Sequence, residues 1–68
     1  MSFVCVNGTQ RPLPFDPCSV ADLVRTLSLE GKRIAVERNG EIVPKSRYAD
    51  TTLVPGDRLE IVGAVGGG

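Results

Sequence analysis

Ser19-Val20-Ala21-Asp22-Leu23-Val24-Arg25-Thr26-Leu27 is the stretch on which the fold class turns. Val20, Leu23, Val24 and Leu27 recur at i, i+3, i+4 and i+7, an apolar stripe along one side of a helix, while Asp22, Arg25 and Thr26 fall elsewhere on the wheel. Ser19 stands just before the stripe and Asp22 three residues on, so each side chain can satisfy a backbone N–H that the first turn leaves unpaired. A helix therefore starts at Ser19. Gly31 is the expected left-handed terminator at or just beyond its last turn, with Lys32 and Arg33 following where the helix dipole favours cations. A helix with one apolar stripe needs a surface to cover, and the remaining chain reads as strands and turns.

Upstream, the β-branched run Phe3-Val4-Cys5-Val6 ends in Asn7-Gly8, a pair that tolerates the positive φ angles of a tight hairpin. The returning segment, Arg11 to Phe15, carries Pro12 and Pro14, which donate no ladder hydrogen bond and so assign it to a sheet edge, with Leu13 its core residue. Downstream, Ile34-Ala35-Val36-Glu37-Arg38 reads as a mostly buried strand. A second Asn39-Gly40 turn and the short run Glu41-Ile42-Val43 follow, ended by Pro44. Lys45 to Thr52 has no clean period and holds a single helical turn around Ser46 to Ala49. Pro55-Gly56-Asp57 is a reverse turn, and in Arg58-Leu59-Glu60-Ile61-Val62 the alternation predicts one core face and one wet face.

Hairpin, helix, two short strands and a final strand make an α+β chain in the β-grasp (ubiquitin-like) order. It has a mixed sheet of about four to five strands, one main helix on one face, and the first and last strands paired in parallel at the centre. Residues 1–65 form the domain and residues 66–68 a flexible C-terminal glycine tail.

Composition narrows function before any motif does. The chain has 68 residues, room for one domain and a small core that gains from a partner. Lys plus Arg equals Asp plus Glu at 8 each, so the basic footprint of a nucleic-acid binder is missing. Without histidine there is no imidazole catalysis, and two cysteines cannot close a four-ligand zinc site. No basic, apolar leader and no membrane-spanning run is present, which predicts a cytoplasmic protein, with no membrane partner and with Cys5 and Cys18 as free thiols.

Three of the eight glycines close the sequence, right after the last strand. Such an end can be a frayed terminus, but glycines also suit a substrate, because a tail without Cβ atoms can thread a narrow channel into another protein's active site. A terminal carboxylate becomes electrophilic once ATP turns its oxygen into a leaving group.

Asn39-Gly40-Glu41-Ile42-Val43-Pro44-Lys45-Ser46, then Pro55-Gly56-Asp57-Arg58-Leu59-Glu60-Ile61-Val62, then Gly66-Gly67-Gly68, resemble the thiamine-biosynthesis sulfur-carrier family (ThiS). The N-terminal half is similar as well, through Asn7-Gly8, Leu13-Pro14 and the helix start at Ser19-Val20. The chain departs from the family's usual pattern at Lys45 and around Pro12 to Cys18. The resemblance implies a carrier, not an enzyme, with no permanently bound cofactor. A ThiF-type activating enzyme would adenylate the Gly68 carboxylate with ATP and magnesium. A cysteine desulfurase or other sulfur donor would supply the sulfur of a thiocarboxylate, and thiazole synthase of the ThiG type would consume it. Gly66, Gly67 and Gly68 would enter the partner's active site.

If Val4 and Val6 face the helix, Phe3, Cys5, Val62 and Ala64 lie on the opposite sheet face, flanked by Arg58 and Glu60, and form a candidate docking face. Lys32, Arg33, Arg38, Lys45 and Arg47 read as scattered surface charge or as a basic edge. The cysteines read as packing residues, and Asp22, Asp50 and Asp57 as cap or turn residues. Two other readings stand beside the carrier. One is the small subunit of molybdopterin synthase, disfavoured by Gly63-Ala64-Val65 lacking a proline before the glycines. The other is a ubiquitin-like interaction module with an inert tail.

Overall fold

Both Asn-Gly pairs turn the chain as their sequence predicts. In the computed structural model, which describes residues 2–63, Asn7 and Gly8 have φ of 51° and 83°, and Asn39 and Gly40 have 53° and 87°. Positive φ at both central residues matches the twist of the flanking strands. The first turn joins β1 (Phe3–Val6) to β2 (Thr9–Pro12), with Val6 opposite Thr9. The second joins β4 (Ile34–Arg38) to β5 (Glu41–Val43), with Arg38 opposite Glu41.

Two short strands, β3 (Cys18–Ser19) and β6 (Thr52–Leu53), pair with each other, and β7 (Arg58–Gly63) completes the set. The main sheet runs β2-β1-β7-β4-β5. β7 lies at its centre, parallel to β1 and antiparallel to β4, the long-range pairing expected of a β-grasp chain.

α1 (Val20–Thr26) begins as its sequence dictates. The Asp22 N–H donates to Ser19 Oγ at 3.1 Å and the Ser19 N–H donates to Asp22 Oδ2 at 3.0 Å. That backbone hydrogen bond from Ser19, together with the Ser19 hydroxyl and the nearby Arg25, holds the Asp22 carboxyl below the usual range. The buried stripe Val20, Leu23 and Val24 covers Val4 and Val6 of β1, Val36 of β4, Val43 of β5, and Leu59 and Ile61 of β7. Cys18, Tyr48 and Leu53 close the core at its side. Burying each of these side chains stabilises the fold by about 1.5–3 kcal/mol relative to exposure.

The structure corrects the sequence reading at four places. The returning strand starts at Thr9, not Arg11, because a two-residue turn leaves no spare residues. Leu13 lies beyond it, half-buried, with its N–H on the Ser2 carbonyl at 2.9 Å. The helix ends before Gly31: Ser28, at φ 61°, takes the left-handed position after the Leu27 cap. The Ser28 N–H donates to the Arg25 carbonyl and the Leu29 N–H to the Val24 carbonyl, closing the helix with a serine where glycine is usual. Of β4, only Val36 is buried, because a single helix covers a single face. The β3–β6 pair was not foreseen, since two-residue strands carry no period.

Val65, the expected domain boundary, and the expected tail Gly66 to Gly68 lie outside the described residues. No helix among the described residues is long and apolar enough to cross a membrane.

Candidate functional site

Among the described residues, nothing covers the face of the sheet opposite α1. Strand alternation sends Phe3 and Cys5 of β1, and Arg58, Glu60 and Val62 of β7, to this side. Phe3 and Val62 are exposed and Cys5 is half-buried. Ala64, the remaining residue of the expected docking face, lies outside the described residues.

Register separates what the sequence reading grouped. Cys5 is level with Arg58, and the Gly56 N–H donates to the Phe3 carbonyl at 2.9 Å, so Phe3 sits at the entry of β7. Val62 is six residues further, roughly 20 Å along a strand at about 3.3 Å per residue. Phe3, with its partner Pro12, forms one apolar end. Val62, opposite Ala35 and next to Gly63, forms the other, nearest the glycine tail. Between them Glu60 lies directly across from Glu37, and Glu37 pairs on its other side with exposed Ile42. Two carboxylates facing each other across a strand pair cost stability. Neither is within ion-pair distance of a cation among the described residues. The middle of the open face is therefore an acidic band, which single-strand reading missed because Glu37 joins Glu60 only through the register.

β7 carries this face, and two asparagines clamp it. The Asn7 side chain donates through Nδ2 to the Ile61 carbonyl at 2.9 Å and accepts from the Ile61 N–H at 2.8 Å, so its amide extends the β1–β7 ladder by one rung. On the other flank, Asn39 Oδ1 accepts from the Arg58 N–H at 2.9 Å and its Nδ2 donates to Asp57 Oδ1 at 3.0 Å. Asp57 Oδ2 also accepts from Arg38 Nε at 2.8 Å and from the Val54 N–H at 2.9 Å. Asp57 is only 4% exposed, and burial alone would raise its pKa. The Val54 N–H, the Arg38 and Asn39 hydrogen bonds and the Arg38 charge outweigh burial and hold the carboxyl below its ordinary value. The expected turn role of Asp57 is thus the smaller part of what it does.

Arg38 is consumed by Asp57 and is not available to a basic edge, and Arg47 lies with it beside a separate shallow depression. Lys32, Arg33 and Lys45 do gather, around one groove at the end of α1. Cys18 is buried, with its thiol pKa raised by burial and by the Asp22 charge, which makes it a packing residue.

A five-stranded mixed sheet with one covering helix and one free face defines a ubiquitin-like β-grasp protein. Its fold matches a crystal structure of the thiamine biosynthesis protein ThiS from Geobacter metallireducens with a TM-score of 0.82 and 28% identity, over 97% of this chain and 99% of that one. The chain belongs to the ThiS family, the sulfur carriers of thiamine biosynthesis, whose family model matches residues 4–68. It is 41% identical over 63 residues to the sulfur carrier protein ThiS of Bacillus subtilis, covering 93% of this chain and 96% of that one. It is also 44% identical over 63 residues to a thiazole synthase of Paramagnetospirillum magneticum, but there it spans only 19% of the relative's length.

Proposed function

We propose that this chain carries sulfur as a thiocarboxylate on Gly68 and delivers it to a thiazole synthase. The observation that carries the reading is the family match through Gly68, on a fold whose central strand, β7, is the last element before the glycines in the sequence. The reading requires Gly68 to be the C-terminal residue of the working protein. A ThiF-type enzyme, using ATP and magnesium, joins AMP to the Gly68 carboxylate with release of pyrophosphate. A persulfide sulfur, derived from cysteine by a desulfurase, displaces AMP at the acyl carbon. A thiol then cleaves the S–S bond and leaves the thiocarboxylate.

The chain acts as a protein co-substrate and contributes no catalytic side chain of its own. The thiazole synthase partner is supported by the relative in which a stretch like this one forms 19% of a longer protein of that name. Gly66, Gly67 and Gly68 enter the partner's active site, while Val62, Ala64 and the flanking charges of Arg58 and Glu60 guide the approach. Phe3 and Cys5 contact a partner only if it spans the length of β7. A cytoplasmic setting, where thiols stay reduced, suits this chemistry.

The reading is tested by reconstituting thiazole formation from purified adenylating enzyme, desulfurase, thiazole synthase, MgATP, cysteine and the synthase's carbon substrates. Product is expected with the intact chain and none with a chain lacking Gly67 and Gly68. Equal product from both would overturn the proposal.

A further inference from the structure

A groove of about 550 Å³ lies where the end of α1, the 28–33 loop, the 3₁₀ turn Lys45–Arg47 and the ends of β4 and β7 meet, and it reaches round the sheet end to Ala35 and Val62 of the open face. Its floor is apolar, with Val24, Leu29, Ile34 and Tyr48, and Gly63 stands at its edge. Lys32, Arg33 and Lys45 line its rim, and none of the three lies within ion-pair distance of a carboxylate among the described residues. Glu30, the one acidic residue lining the groove among the described residues, is engaged by Arg25 at 3.7 Å, and Arg25 also holds Asp22 at 3.3 Å. A second groove of about 480 Å³ on the other side of the 28–33 loop shares Lys32 and Arg33 and adds Arg11, so the cationic loop stands between two depressions.

We propose that the first groove binds an acidic, apolar-anchored peptide segment of a partner protein. Its apolar side chains cover the floor and its carboxylates meet Lys32, Arg33 and Lys45. An apolar floor ringed by unpaired cations is complementary to alternating aliphatic and acidic residues, and mismatched for a basic segment. The sheet face has Glu37 and Glu60 at its centre with Arg58 beside them, a net negative charge opposite to that of the groove's rim. The glycine tail follows Gly63, the residue at the groove's edge, so a segment held here lies beside its root. The two surfaces select partner segments of opposite charge on either side of that root.

The inference does not rest on the sulfur-carrier reading, and loading of Gly68 is measured separately, so either can fail alone. The test is an amide NMR titration of the full chain with an end-blocked hexapeptide of alternating Leu and Glu, beside one of alternating Leu and Lys. The Leu-Glu peptide is expected to shift Val24, Leu29 to Ile34 and Lys45 to Ala49, saturably. Lys32→Glu with Arg33→Glu should weaken binding by about tenfold, and Lys45→Glu by about threefold, since each ion pair lies at an exposed rim. Unchanged circular dichroism of these exposed-site variants separates lost binding from lost fold. Any one of the following contradicts the proposal: no shifts at millimolar peptide, equal binding of the Leu-Lys peptide, shifts confined to Glu37, Ile42 and Glu60, or affinity unmoved by charge reversal. So does sedimentation showing that a second copy, through its own Glu37, Glu60 and Ile42 band, fills the groove and excludes the peptide.

Discussion

The two Asn-Gly turns share a dipeptide and a backbone conformation, yet they hold the central strand in different ways. Asn7 acts alone, its amide imitating a peptide unit against Ile61 near the exit of β7. Asn39 acts as one member of a network built on the buried Asp57 carboxylate, with Arg38 and the Val54 N–H, at the entry of β7. A neutral, two-bond clamp is local and loses little when removed. A clamp built around a buried carboxylate leaves unpaired charge and donors behind when it is broken. The strand is therefore anchored most firmly at the end furthest from the glycine tail.

Removing the carboxylate is the strongest way to test that asymmetry. Asp57→Ala strands the Val54 N–H and the Asn39 amide and leaves Arg38 without its partner, so urea denaturation should show a loss of about 2–4 kcal/mol. The same group sets an acid limit. Its folded pKa lies below the unfolded value of about 3.9, so its contribution is present above that pH and is lost as pH falls through the folded value. Urea midpoints of the intact chain should fall as pH drops below about 4, and Asp57→Asn should flatten that slope. An unchanged slope in Asp57→Asn would assign the acid limit to other carboxylates, Asp22 first.

Glycine substitutions at the two asparagines compare the clamps directly, because glycine keeps the positive φ and deletes only the amide. Asn39→Gly is expected to cost about 2 kcal/mol and Asn7→Gly about 1 kcal/mol, with equal losses contradicting the contrast. The smallest effect lies away from both turns. Ser28→Gly relieves a left-handed serine at the end of α1 and should raise stability by about 0.5 kcal/mol, read as a shift in thermal midpoint.

The fold was legible wherever its cause is local. The Ser19 and Asp22 cap, the stripe from Val20, both Asn-Gly turns, and the wet and dry faces of β7 follow from spacing alone. What escaped the sequence depends on residues brought together from a distance. Asn7 meets Ile61 across 54 positions and Asp57 meets Arg38 across 19, and nothing in either neighbourhood announces the second role. The helix end at Ser28 escaped for another reason: glycine at position 31 is the better left-handed residue, but the apolar stripe ends at Leu27 and the chain must turn there. Alternation puts Phe3, Cys5, Arg58, Glu60 and Val62 on one side of the sheet, where the structure also has them. Alternation says nothing of register, so Phe3 and Val62, at opposite ends of β7, read as neighbours.

In the proposed function the fold is a handle for chemistry at Gly68. Top-down mass spectrometry tests it on the intact chain after incubation with adenylating enzyme, MgATP, desulfurase and cysteine. The expected result is the exchange of one oxygen for one sulfur, confined to the fragment ending in Gly68 and lost when a residue is appended after it. An unchanged mass with an active enzyme mixture, or sulfur found on Cys5 or Cys18 instead, would contradict it.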